Sequence, residues 1–168
     1  MKTPIPLALA ALFALAGACS SDAGGMDEET ITMRLAGLET SGEFTRINAT
    51  PFESQHAAET VNVWVSNEGV DLYRDLDPDD SSAAIEDFPE FTMIVKEMLD
   101  EEGALTAYTV MVKGAEGGVA RTDDWWWGMY DAGGALQMSG ELGFCIDCHE
   151  ANGLERTDWV QGVPMDAR

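Results

Sequence analysis

The chain has 168 residues, 45% hydrophobic and 24% charged, enough for one domain with its own core. Nine basic residues face thirty-one acidic ones, a formal charge of −22. That balance excludes nucleic acid and anionic membrane surfaces as partners, because both need clusters of Lys and Arg. It would steer a basic protein partner, or simply keep an exported protein soluble.

The chain opens with Lys2, then an apolar run from Pro6 to Ala16 rich in Leu and Ala, then Ala16-Gly17-Ala18 before Cys19. The run is too short to span a bilayer and ends in small residues, so residues 1–18 read as a signal peptide and the protein as exported, to the periplasm of a bacterium. Ala16-Gly17-Ala18 fits ordinary cleavage, which leaves Cys19 a free thiol. Leu15 to Cys19 also fits a loose lipobox, with Cys19 lipidated and the protein membrane-anchored. Residues 19–29 then read as a flexible tether, and residues 30–168 as the folded domain.

Ile31 to Leu38 is weakly amphipathic and of undetermined type. Val61 to Val65 alternates, with three Val on one face, and predicts a strand. Leu72 to Ser82 is acidic, with Asp-Pro and Asp-Asp pairs, and predicts a surface loop. Phe91 to Leu99, Leu105 to Val112 and Trp125 to Tyr130 predict three more strands, the last followed by a turn at Asp131 to Gly134. Cys145 to Asn152 suits a short helix. Short turns and the lack of a crossover helix predict a mainly β (α+β) fold. Its core would be an antiparallel sheet of about four to five strands with a few short helices.

Cys145-Ile146-Asp147-Cys148-His149 has the C-x-x-C-H spacing of a c-type haem attachment site. Two thiols three positions apart reach the two vinyl groups of one porphyrin, and the next imidazole lies beneath the ring as an iron ligand. A structural zinc site needs a fourth ligand, and the other His, His56, lies far upstream. A redox dithiol normally opens a helix in a βαβ setting, which is lacking here. His56 or a methionine can supply a second axial ligand, and a six-coordinate iron means electron transfer. A surface or structural role for His56, and core packing for the methionines, fit equally well.

FPEFTMIVKE (Phe88 to Glu97), LTAYTVMVKG (Leu105 to Gly114), DWWWGMYD (Asp124 to Asp131), FCIDCHEA (Phe144 to Ala151) and TDWV (Thr157 to Val160) together resemble the cytochrome P-460 family. The resemblance implies an antiparallel β fold, often dimeric, with a five-coordinate haem c. In the enzymatic members a lysine, here Lys96, is bonded to a porphyrin meso carbon, and those members oxidise hydroxylamine with nitric oxide chemistry in the reaction. A related branch, the β-fold cytochromes c′, lacks the cross-link and binds nitric oxide and carbon monoxide. A small basic cytochrome is the electron acceptor that the charge would suit. The chain departs from the family pattern at Phe91, where Gly is usual. It departs also at Val61, where hydroxylamine oxidisers often carry Arg, and at Phe144, where an acid precedes the first Cys.

Along its strand Lys96 shares a face with Thr92, Ile94 and Met98. It either extends its stem over apolar surface with the amine in water, or stands desolvated and nucleophilic beside the haem. The second reading predicts a cavity shared with His149 and lined from Val63, Ile94, Met98, Phe144 and one of Trp125 to Trp127. Lys113 is expected to face solvent. Alternation places Trp125 and Trp127 on one face and Trp126 on the other.

Overall fold

The computed structural model describes residues 23–80 and 84–168. The signal-peptide and Cys19 readings lie outside the described residues, as does the end of the acidic segment at Ser81 and Ser82. Six strands form one antiparallel sheet in sequential order: β1 (Phe44–Arg46), β2 (Thr60–Ser66), β3 (Met93–Leu99), β4 (Leu105–Lys113), β5 (Trp125–Asp131) and β6 (Leu136–Gly140). Among the described residues, three α-helices accompany them: α1 (Glu28–Ala36), α2 (Val70–Asp75) and α3 (Gly143–Ala151). The mainly β antiparallel fold is as expected. The four predicted strands are β2 to β5, and the two edge strands are additional. β1 has only three residues, and β6 (LQMSG) is half polar with no apolar run.

Side-chain parity divides the sheet into two functions. Directly paired residues share a face, so Val63, Lys96, Thr109 and Met129 form one cross-strand row, and Val65, Ile94, Met111 and Trp127 the next. This face is covered by α2, α3 and the C-terminal segment, and its core includes the three Val of β2, Trp125, Trp127 and Ile146. The opposite face carries Met93, Val95, Val110, Val112, Trp126 and Tyr130, and α1 closes it with Ile31 and Leu35. The expected split of the three tryptophans is therefore observed.

Two local readings are corrected. The flexible tether does not reach Glu29. Asp27 caps α1 by accepting from the Thr30 N–H at 2.7 Å, Glu28 and Glu29 form its first turn, and Ala23 and Met26 are buried. The acidic segment from Leu72 is not all loop, because α2 occupies Val70–Asp75 and packs Tyr73 into the core, with Leu76 buried just beyond it. Its carboxylates face outward while two apolar side chains at i, i+3 reach inward.

Phe91, just ahead of β3, adopts φ 66°. An L-residue there costs about 1–2 kcal/mol. Its backbone is held nonetheless: the N–H donates to the Lys113 carbonyl at 2.7 Å and the carbonyl accepts from Arg34 at 3.0 Å. The ring packs against the core under α1.

Gly128 sits between Trp126 and Tyr130 on the α1 face of β5. A Cβ there would lie 2.6 Å from the Trp126 ring and 3.1 Å from that of Tyr130. Both rings are buried and cannot swing away. Gly128→Ala is expected to destabilise the domain by about 1–3 kcal/mol through overpacking. The shift of the urea unfolding midpoint measures it.

Candidate functional site

The C-x-x-C-H segment forms the body of α3. Cys145, Cys148 and His149 stand at i, i+3 and i+4, so a helix brings all three to one face. Ile146 turns the other way into the core and fixes the helix on the sheet. The three do not converge as metal ligands: among the described residues no group of three or more His, Cys, Asp or Glu is placed to hold an ion. Both thiols are free, and burial, with Cys148 nearby, pushes the Cys145 thiol up to about 11. A reactive dithiol needs the opposite shift.

The face of α3 opens on a cavity of about 240 Å³. Its apolar wall comes from Ile94 and Met98 of β3, Met111 of β4, Trp127 of β5, Phe144 and Leu154. Ser54, Gln55 and His56 close one side, and Lys96 reaches in from the sheet. The predicted lining is therefore largely observed, with Trp127 as the contributing tryptophan. Val63 instead lines a neighbouring, more polar cavity that shares Ser54, Gln55, Lys96 and Gln161 with the first.

His149 is buried, and its Nδ1 lies 2.6 Å from the Trp159 carbonyl. Nδ1 must donate there, so Nε2 keeps its lone pair. The Trp127 ring meets the imidazole edge-on at 4.6 Å. Burial, then the Lys96 charge, hold His149 down to about 4 against the pull of the Trp159 carbonyl. The imidazole is thus neutral at physiological pH.

Lys96 has no carboxylate partner among the described residues, and burial lowers its amine to about 8. About one amine in ten is then neutral at pH 7, against roughly one in three thousand for an ordinary lysine. Of the two readings of Lys96, the structure favours the desolvated one.

His56 lies in the same cavity, not on the surface, with Nδ1 2.9 Å from the Ser54 hydroxyl. The Lys96 charge, followed by burial and His149, holds it down to about 3 from its ordinary 6.5. The unfolded chain therefore takes up a proton at His56 below about pH 6.5 that the folded chain refuses until about pH 3. Its contribution is present in full above 6.5 and is lost as pH falls through that window. His56→Gln is expected to lose less stability than wild type between pH 7 and 4.5, read from urea midpoints at each pH.

Lys113 is not solvent-facing. It is 6% exposed, and its amine donates to both oxygens of Asp158 at 2.7 and 2.8 Å. Parity explains the correction: Lys113 shares the inward face of β4 with Thr109 and Met111, and the C-terminal segment covers it. Asp158 also accepts from the Phe88 N–H at 2.7 Å and the Trp125 indole at 3.1 Å. Sequence reasoning missed this pair and the Trp159 carbonyl. The signal was the TDWV run, which pattern alone could not tie to His149.

The residues present fit a haem. A mostly apolar cavity faces two thiols at attachment spacing and a neutral imidazole whose free nitrogen is an iron donor. Fold and site define the class as a haem protein on an antiparallel sheet. The sequence matches the cytochrome P460 family over residues 43–161, and the chain belongs to that family. The family implies a haem cofactor. The match runs from β1 to the segment after α3, so the α1 cover of the opposite face precedes it. No curated protein matches the chain.

Proposed function

We propose that the protein is an exported c-type haem protein that binds or oxidises small nitrogen species, hydroxylamine or nitric oxide, at an open iron position. Cys145 and Cys148 form the thioethers and His149 is the proximal ligand through Nε2. One observation carries the reading: the C-x-x-C-H face of α3, Lys96 and His56 all border one mostly apolar cavity. When bound, the haem supplies the redox centre. The chain supplies the axial nitrogen, a dry pocket, and at Lys96 an amine with a substantial neutral fraction, as a covalent bond from its nitrogen to the porphyrin requires. His56, hydrogen-bonded to Ser54, is the side chain suited to hold or move a proton beside the ligand.

A second reading, gas binding without turnover, is favoured by Val61. It is wholly buried in the core and brings no polar group to the position where hydroxylamine oxidisers often have Arg. The ferrous absorption spectrum of the purified protein tests both. A red-shifted Soret band supports a cross-linked, catalytic haem, and an ordinary five-coordinate c-type spectrum supports gas binding. A low-spin six-coordinate spectrum would make it an electron carrier, with His56 the candidate sixth ligand.

The charge of −22 suits a basic cytochrome as electron acceptor. A homodimer is the assembly we propose from the family. Periplasmic lipid anchoring at Cys19 is proposed from the sequence; incorporation of labelled fatty acid, lost in Cys19→Ala, is the expected result.

A further inference from the structure

The geometry points to Asp158 as a positioning residue for the proximal ligand: clamped by Lys113, it fixes the Trp159 carbonyl against His149 and so sets how strongly that imidazole donates to iron. The inference rests on the reading that His149 binds haem iron.

Asp158 is 4% exposed, and its donors come from three separate places: Lys113 at the end of β4, Trp125 at the start of β5, and Phe88 ahead of β3. The carboxylate is thereby fastened to the sheet. The next residue is held as firmly. The Trp159 N–H donates to the Leu154 carbonyl at 2.7 Å and its indole to Asp123 at 3.0 Å, while its carbonyl accepts from His149 Nδ1 at 2.6 Å. Asp158 and Trp159 are both left-handed, at φ 47° and 66°. Two successive L-residues stay in that region only where their surroundings over-determine them. Stability alone does not explain the ion pair, since well-packed neutral side chains often serve as well as a buried pair. The strain and the charge lie beside the one carbonyl whose position fixes the imidazole.

A short Nδ1–H···O=C bond raises the basicity of a ligating imidazole. A more basic axial ligand favours ferric over ferrous iron. Releasing the dipeptide would lengthen the bond and shift the balance toward ferrous.

The test uses the haem-loaded protein. Asp158→Asn alone strands a buried ammonium and is expected to fold poorly. The decisive variant is therefore Lys113→Met with Asp158→Asn, which removes both charges. Trp125→Phe, which removes one donor and keeps both charges, gives a milder perturbation. Both should move the ferrous Fe–His stretching band, read by resonance Raman, to lower frequency. At a fixed potential the ferrous-to-ferric ratio of the double variant should rise about tenfold. Leu35→Ala, which weakens the core from under α1, should change neither. Wild-type band and potential in the double variant, or in Trp125→Phe should the double variant not fold, would overturn the inference. Equal shifts in Leu35→Ala would overturn it too. A wild-type protein with five-coordinate ferrous haem but no Fe–His band would instead sink the assignment of His149.

Discussion

Protein exported with both Cys145 and Cys148 replaced by Ala is expected to carry no haem mass, a complete loss. Each single substitution should lose one thioether, and His149→Ala should keep the covalent haem while losing the proximal ligand. The expectation follows from α3. The two thiols lie one helical turn apart on the face that opens into the cavity, and the imidazole follows directly. The Cys145 thiol is held protonated by burial, so it does not compete as a free thiolate at neutral pH. Intact mass spectrometry of the purified protein reads attachment, and the absorption spectrum reads ligation. A wild-type mass equal to the polypeptide alone would overturn the haem assignment.

Lys96→Leu is expected to abolish hydroxylamine oxidation while leaving haem attachment and gas binding in place. Lys96 belongs to the row Val63, Lys96, Thr109 and Met129, in the middle of the site face, so its stem rises from the sheet directly into the cavity. Leu keeps that stem's apolar packing and removes the amine. The variant should give an ordinary c-type spectrum, without the red-shifted Soret band of a cross-linked haem. Tryptic digestion of wild type should recover the Lys96 peptide bonded to haem. Recovery of that peptide free of haem would move the protein to the gas-binding reading, with His149 and the cysteines unaffected.

Much of this site was legible because its signals are local. C-x-x-C-H is a contiguous pentad, and strand parity assigned Lys96, Ile94 and Met98 to one face before any tertiary contact was known. The strong alternating or aromatic runs became β2 to β5 for the same reason. What pattern could not supply were relations between distant segments. His56 was left between axial ligation and a surface or structural role, because nothing in SQHAAE reports that its loop folds over the sheet. Lys113 looked exposed because a lysine at a strand end usually is, and its partner Asp158 lies 45 residues on. The edge strands were missed because β1 is three residues long and β6 has little apolar content. The tether reading overreached because Asp27, an acid in an acidic stretch, is also a helix cap.

The sequential order of the sheet bears on how the protein matures. From β3 to β6 every strand pairs with its successor through short connections at residues 100–104, 114–124 and 132–135. Contacts of such low sequence separation form early and quickly. The cavity, by contrast, needs α3 and the Trp159 segment to fold back across a sheet already in place. The C-x-x-C-H residues come after every strand of the sheet. Until α3 docks, both thiols stand open while the aromatic floor beneath them has begun to assemble. The domain therefore closes last where His149 meets the Trp159 carbonyl, and the order of the sheet leaves that closure to the C-terminal segment.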